Sequence, residues 1–360
     1  MTARRVLVVG GGTAGHVLPA VPVIQSLLEQ DFNVHFVGSR SGLEQRLLAD
    51  LPVQFHAIFT GKLRRYWSWR NFTDVVLIAL GVLQSVALVW RIKPHVVFSK
   101  GGFVSFPAVF AAWLLRVPVV AHESDLTPGL ANKLVDRFVH TLCISFAQTE
   151  QRLSARPDRR VVHTGTPVRR QILDGQAAAG RTQLALEEGR RLLVVTGGSL
   201  GADALNGVVR DSVGKLADDF FIFHVCGAGK LANLSAENYV EVEYVSDGWG
   251  DILAAADVVI SRAGANALFE LLALRKLNVL VPLSAKASRG DQIQNAQFAE
   301  AAGFSVVVPE DELTPASLQV AVAQVVADEA EYRAALDQFV VPQATAAIVK
   351  EILAVTNSEQ

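Results

Sequence analysis

The sequence predicts an α/β protein of two Rossmann-like, doubly wound parallel-sheet domains facing each other across a cleft. Three observations predict it. Short β-branched runs alternate with longer stretches of helical periodicity, the pattern of parallel strands joined by helical crossovers. The pattern starts twice, each time as a strand, a glycine-rich turn and a helix. A chain of 360 residues is also long for one ordinary core and suits two.

In the first half, Val6–Val9, Val34–Val37, Val53–Ile58, Val96–Phe98, Val117–Ala121 and Thr141–Ile144 read as buried strands. Helices are expected between them over Val17–Gln30, Leu43–Ala49, Phe72–Arg91, Phe103–Leu115 and Pro128–Val135. The second half opens with a strand at Leu192–Val195, the turn Gly197-Gly198-Ser199-Leu200-Gly201 and a helix over Ala202–Leu216. Further strands are expected at Phe220–Val225, Val240–Val245, Val258–Ile260, Val279–Val281 and Ser305–Val308. The segment Pro157–Gln171, with Gly165, Pro167 and a run of arginines, reads as the join. Domains are therefore expected at 1–165 and 166–340, with a terminal helix over 341–360 returning to the first. Sheets of this kind bind ligands beyond the carboxyl ends of their strands, so two sheets suggest two ligands meeting in the cleft.

Composition excludes several classes. With 51% apolar and 19% charged residues, the chain is not a disordered one. Its 33 basic and 35 acidic residues give no overall field for nucleic acid. Two cysteines, Cys143 and Cys226, are too few for a disulfide framework or a zinc site and read as buried thiols of a reduced compartment. The first nine residues lack the long apolar region and cleavage site of a signal peptide. The longest apolar stretch, Val75–Trp90, is interrupted by Gln84 and Ser85 and falls short of the roughly 20 residues needed to span a bilayer. The expectation is a protein inside the cell that does not cross the membrane.

Several motifs carry chemistry. Gly10, Gly12 and Gly15 satisfy a dinucleotide fingerprint, but the second strand ends Phe36-Val37-Gly38-Ser39-Arg40 with no carboxylate. That disfavours NAD and leaves an NADP reading resting on Arg40. His16, at the start of the first helix, is a candidate base, since a helix N-terminus disfavours the imidazolium. His122-Glu123-Ser124-Asp125 closes the fifth strand with four polar groups, which read as site residues or as caps of the next helix. In the second half, Ser261-Arg262-Ala263-Gly264 precedes a helix whose N-terminus can hold a diphosphate, and Glu270 can accept from a ribose diol. A dense polar stretch, Arg289-Gly290-Asp291-Gln292, follows. Between Leu51 and Thr73 there is no acidic residue, while Lys62, Arg64, Arg65 and Arg70 interleave with Tyr66, Trp67 and Trp69 beside the apolar helix. That composition suits an anionic membrane surface or, more plainly, a loop beside a buried crossover helix.

Taken together, GGGTAGHVLPA (Gly10–Ala20), SKGGFVSFP (Ser99–Pro107), HESDLTPGLANK (His122–Lys133), GGSLGA (Gly197–Ala202) and the segment Ser261–Ala296 resemble the MurG family of glycosyltransferases. The resemblance runs over nearly the whole chain, and the HESDLTPGLANK form looks like a Gram-positive branch. It implies the GT-B fold and transfer of N-acetylglucosamine from UDP-GlcNAc to the C4 hydroxyl of the muramic sugar of lipid I, with inversion and without a metal cofactor. It also implies attachment to the cytoplasmic face of the cell membrane and contacts with cell-wall synthesis and division proteins. By position, His16 and Asp125 become the catalytic candidates. The donor candidates are Thr13, Ala14, Gly15, Arg169, Ser199, Leu200, Gly201, Arg262, Ala263, Gly264, Glu270, Asp291 and Gln292. The chain departs from the family pattern at Asp125, where asparagine is more common, at Ala14 for glycine, and at Asp291 for glutamine. Competing expectations are a UDP-sugar transferase acting on diacylglycerol, an NADP oxidoreductase and a non-catalytic UDP-sugar sensor.

Overall fold

A computed structural model describes residues 4–40, 42–61, 70–198, 201–286 and 288–357. The chain divides into two units, one of Met1–Arg169 with Pro342–Gln360, the other of Arg170–Val341.

In the first unit seven strands form one sheet: β1 (Arg5–Val9), β2 (Asn33–Ser39), β3 (Gln54–Ile58), β4 (Val96–Ser99), β5 (Val119–Glu123), β6 (Thr141–Ile144) and β7 (Arg160–His163). Their order is β3-β2-β1-β4-β5-β6-β7, with every pairing parallel. The helices are α1 (Ala14–Val17), α2 (Ala20–Leu28), α3 (Glu44–Leu47), α4 (Arg70–Ile92), α5 (Ser105–Leu114) and α6 (Leu130–Val135).

In the second unit α7 (Arg170–Leu173) and α8 (Ala177–Gln183) precede β8 (Arg191–Thr196), α9 (Asp203–Asp219), β9 (Phe220–Val225), β10 (Tyr239–Val242) and α10 (Trp249–Ala255). There follow β11 (Val258–Ser261), α11 (Ala265–Ala273), β12 (Leu277–Leu280), α12 (Asp291–Ala301), β13 (Val306–Val307), α13 (Pro315–Ala327) and α14 (Glu329–Gln338). The strand order is β10-β9-β8-β11-β12-β13, again all parallel. The last helix, α15 (Ala344–Asn357), belongs to the first unit.

A parallel sheet with helices on both faces buries both sides of each strand, which explains why these strands read as unbroken apolar runs. Successive side chains alternate between faces. Leu7 and Val9 of β1 join a core closed by Leu88, Val89 and Ile92 of α4 and by α5. Val6 and Val8 join the opposite core with α2 and with Ile348, Val349 and Ile352 of α15. Each such aliphatic side chain taken from water contributes about 1.5–3 kcal/mol, sufficient to bring the chain's last helix back to the first sheet.

Three expectations are corrected. Arg160–His163 is a seventh strand, not part of a linker; its two valines are bracketed by Arg159, Arg160 and His163, which hide an edge strand. The first helix is split into one turn, α1, and the longer α2, because Pro19 between them has no amide hydrogen to continue the ladder. The third concerns membrane length. Thr73–Ile92 is helical over 20 residues with mean hydropathy 2.2, long and apolar enough to cross a bilayer by length and composition. The sequence estimate was too short because the helix runs past its polar flanks. Its C-terminal half nevertheless lies in the first unit's core, through Leu88, Val89 and Ile92.

Candidate active site

The carboxyl ends of β1, β4 and β5 lie side by side because those strands pair in that order. The glycine loop after β1 therefore meets the Gly101–Gly102 turn after β4. The contact is close: a Cβ on Gly102, whose φ is +84°, would lie 2.1 Å from the Gly11 carbonyl oxygen. His16 packs over the same turn, since a Cβ on Gly101 would stand 3.4 Å from its Nδ1 and one on Gly102 would stand 3.2 Å from its Cδ2. The imidazole thus rests on backbone at the carboxyl edge of the sheet, with Thr13 as the N-cap of α1, Ala14 buried and Gly15 half-buried. Because α1 is a single turn with His16 near its end, the long-helix dipole expected to act on this ring is not present in that form.

Glu44 was not singled out from the sequence. It is fully buried, accepts from the Gly12 amide at 2.9 Å and from the Ser39 hydroxyl at 3.0 Å, and so clamps the glycine loop to the end of β2. A carboxylate does stand beyond β2, five residues later than the dinucleotide pattern places it, and it binds the protein's own backbone. Arg40, on which the NADP reading rested, lies over the Phe59 ring at 3.8 Å.

The His122–Asp125 turn divides by role. His122 is buried and its Nε2 pairs with the Gly165 carbonyl at 2.8 Å. Burial, with the neighbouring Lys100 charge, pushes its pKa well below the ordinary histidine value, so it stays neutral. Glu123 accepts from the amides of Asp125 (3.0 Å) and Gly129 (2.8 Å) and from Asn132 Nδ2 (2.8 Å), tying the turn to the start of α6. These two are scaffold. Ser124 accepts from Lys100 Nζ. Asp125, two residues past β5 and partly exposed, carries the acceptor-facing candidacy.

In the second unit β8, β11 and β12 are neighbours, so the loops after them gather at one sheet edge. Gly201 is required by the fold: its φ is +66° and a Cβ would sit 2.0 Å from the Cys226 carbonyl oxygen. Gly264, the N-cap of α11, is different. Its φ is −65° and a Cβ there would meet nothing within 4 Å, so nothing in the protein itself demands a glycine. The gap leaves the first turn of α11 open to a close ligand. Ala263 is buried, and its carbonyl accepts from Asn295 Nδ2 of α12 at 3.1 Å. Gln292 accepts from the Leu283 amide at 2.9 Å, and Asp291 opens α12 beside Arg289 at 3.8 Å. Glu270 is partly exposed, five residues into α11, about 7.5 Å along the axis from Ala265.

Arg262 departs from the expected donor contact. Its guanidinium is buried, paired with Glu310 and donating to the Val281 carbonyl at 3.1 Å, while Glu310 accepts from the Ser284 amide at 2.9 Å. That pairing and its hydrogen bonds hold the Glu310 carboxyl below its ordinary range despite burial. Arg262 is a strut for the 281–284 loop. Arg169 closes the first unit and Arg170 opens the second. Ser199 and Leu200 lie outside the described residues, as do Lys62, Arg64, Arg65, Trp67 and Trp69, and the same holds for the Arg70 side chain. A cavity of about 380 Å³ over β9 and β10, lined by Phe221, Phe223, Val240, Val242 and Tyr244, touches none of the described candidate residues.

Residues 6–144 match the glycosyltransferase family 28 N-terminal domain and residues 192–350 the C-terminal domain of the same family. A relative from Legionella pneumophila (strain Paris) is 46% identical over 317 residues, covering 88% of this chain and 86% of its own. One from Clostridium kluyveri is 44% identical over 314 residues, covering 87% and 88%. Both are named UDP-N-acetylglucosamine–N-acetylmuramyl-(pentapeptide) pyrophosphoryl-undecaprenol N-acetylglucosamine transferase. The crystal structure of Acinetobacter baumannii MurG superposes with a TM-score of 0.75 at 26% identity, over 98% of this chain and 99% of that one. The chain belongs to the MurG family. Its two parallel-sheet domains are those of the GT-B fold, which the calicheamicin glycosyltransferase CalG4 shares at a TM-score of 0.71 and 14% identity. As a MurG-family member the chain is a glycosyltransferase, which removes the oxidoreductase and sensor readings. Relatives from both Legionella and Clostridium stand at similar identity, so the comparison does not single out a Gram-positive branch.

Proposed function

We propose that this chain transfers N-acetylglucosamine from UDP-GlcNAc to the C4 hydroxyl of the muramic sugar in undecaprenyl-pyrophosphoryl-MurNAc-pentapeptide, with inversion and without a metal. The observation that carries the transfer itself is the shared name of relatives 42–46% identical over some 87–88% of the chain, across both family domains. The reaction is a displacement at the anomeric carbon. His16 takes the proton from the attacking hydroxyl, a role worth about 10² to 10⁴ in rate. Asp125 orients the acceptor sugar from the neighbouring strand end. The departing UDP is stabilised by backbone N–H groups at the N-termini of α9 and α11, with Arg169 and Gln292 as further donors and Glu270 on the ribose diol.

The lipid acceptor brings the chain to a membrane surface. Supporting this is a stripe along α4 in which Val75, Val76, Leu80, Leu83 and Trp90 are all exposed, at helical spacing, on the side away from the core residues Leu88, Val89 and Ile92. Basic residues of the 62–70 segment add an attraction of about 1 kcal/mol each to anionic lipid. The test is UDP release measured with and without a lipid I analogue, repeated in EDTA. Release only with the acceptor, unchanged by the chelator, is expected. Acceptor-independent release, or loss of activity in EDTA, would overturn the corresponding part of the reading.

A further inference from the structure

Lys100 sits one residue beyond β4 and is 1% exposed. Its backbone N–H donates to the Val9 carbonyl at 2.8 Å, and its side chain reaches the next strand end, where Nζ donates to the Ser124 hydroxyl. Ser124 stands between Glu123 and Asp125, the two carboxylates whose fields act on the ammonium. A buried ammonium without compensation is strongly unfavourable, so this side chain needs those acids. Glu123 is already accepting three hydrogen bonds from the turn and from α6.

We infer that Lys100 is a positioning residue for the acceptor, holding the Ser124–Asp125 turn in place, with the Asp125 carboxylate helping to keep its buried ammonium charged. The inference rests on the acceptor reading above. It accounts for the departure seen in the sequence, where Asp125 replaces the asparagine more common in the family: a neutral amide would leave Lys100 with Glu123 alone. Electrostatics agree with the geometry. Burial lowers the Lys100 pKa to about 8, and the Glu123 and Asp125 carboxylates act against that fall. The other titratable groups gathered at these strand ends are His16, on α1, and His122, which burial keeps neutral. Glu44 is engaged with Gly12 and Ser39.

The test measures kcat/KM for a lipid I analogue against pH in the full-length enzyme, in Lys100→Met, in Asp125→Asn and in the double variant. The wild type should lose activity as pH rises through about 8. Asp125→Asn removes a charge that raises the lysine pKa, so the alkaline limb should move to lower pH. Lys100→Met should abolish the limb and lower kcat/KM for the acceptor by about tenfold or more, with KM for UDP-GlcNAc unchanged. The double variant should be no worse than Lys100→Met, because residues of one ion-pair network do not act additively. A double variant showing the product of the two single losses, or an alkaline limb that Asp125→Asn leaves in place, overturns the inference. Should Lys100→Met fail to fold by circular dichroism, the limb in Asp125→Asn decides alone. A wild type that releases no UDP with the acceptor would sink the acceptor reading first, and carbon NMR of the lysine side chain in wild type and Asp125→Asn would still decide the pairing.

Discussion

His16 rests its ring on the Gly101–Gly102 turn, while Asp125 rises from the end of the neighbouring strand but one, so both can present polar atoms to a sugar beyond the first sheet. The choice of base between them is one of basicity. An ordinary imidazole outdoes an ordinary aspartate as a proton acceptor by roughly two and a half powers of ten. His16→Ala should therefore lower kcat by about 10² or more with little change in UDP-GlcNAc affinity. Asp125→Asn should cost less, because an amide still holds a hydroxyl. Near-normal turnover in His16→Ala with none in Asp125→Asn would reverse the two roles. On the donor side, Glu270→Ala should weaken UDP by about 1.5–3 kcal/mol, the loss of a hydrogen bond to a carboxylate, and weaken TDP less because it lacks the 2′ hydroxyl. Competition titrations with the two nucleotides check this, and equal weakening removes Glu270 from the ribose.

Helix α4 shows most plainly how an element's two faces do different work. Gln84 accepts from the Phe59 amide at 2.7 Å and Gly81 lies so close to the Phe59 carbonyl that a Cβ would come within 2.1 Å, so one face is locked to the segment after β3. The other carries the exposed apolar stripe. Replacing Val76, Leu83 and Trp90 together by serine should release the protein from anionic vesicles in a sedimentation assay while a short-chain acceptor still turns over. Unchanged sedimentation at high salt would dismiss the stripe. Much of this architecture was legible beforehand, because parallel strands buried on both faces leave apolar runs that stand out between glycine turns. What was missed has a common cause: polar side chains interrupt the pattern wherever they serve another part of the chain. Arg160 opens β7 yet pairs with Glu351 of α15 at 2.9 Å, and Asn278 is buried within β12 with its amide donating to the Phe304 carbonyl at 3.1 Å. In the site, the glycine turns and His16 were readable as local motifs. Glu44 and Lys100 were not, since their partners at Gly12 and Ser124 are distant in sequence and only the sheet brings them together.

At the scale of the molecule, two separate sheets with their own cores predict that unfolding will not be a single two-state event. Each unit also carries histidines held neutral, so each should weaken in acid. In the first, His35 Nδ1 and His56 Nε2 are 3.0 Å apart in a stacked pair; burial first, then the partner ring and nearby arginines, lower the His35 pKa to about 4. In the second, His224 bridges the Tyr239 hydroxyl at 2.9 Å and Asn206 Oδ1 at 3.0 Å, and burial with the Arg210 charge again lowers its pKa to about 4. The sign follows from linkage. Unfolded histidines take up protons near pH 6.5 while the folded ones do not, so stability is full above about 6.5 and falls as pH drops toward 4. For the well-buried His224 the loss amounts to about 3 kcal/mol across that window. Calorimetry should resolve two transitions at pH 7, with UDP raising the one that belongs to the donor unit by mass action. Both should move to lower temperature between pH 6.5 and 4, and His224→Gln should flatten the pH dependence of the UDP-responsive transition alone. If that variant flattens neither transition, or flattens the one UDP leaves unmoved, the acid sensitivity of the second unit does not reside in His224.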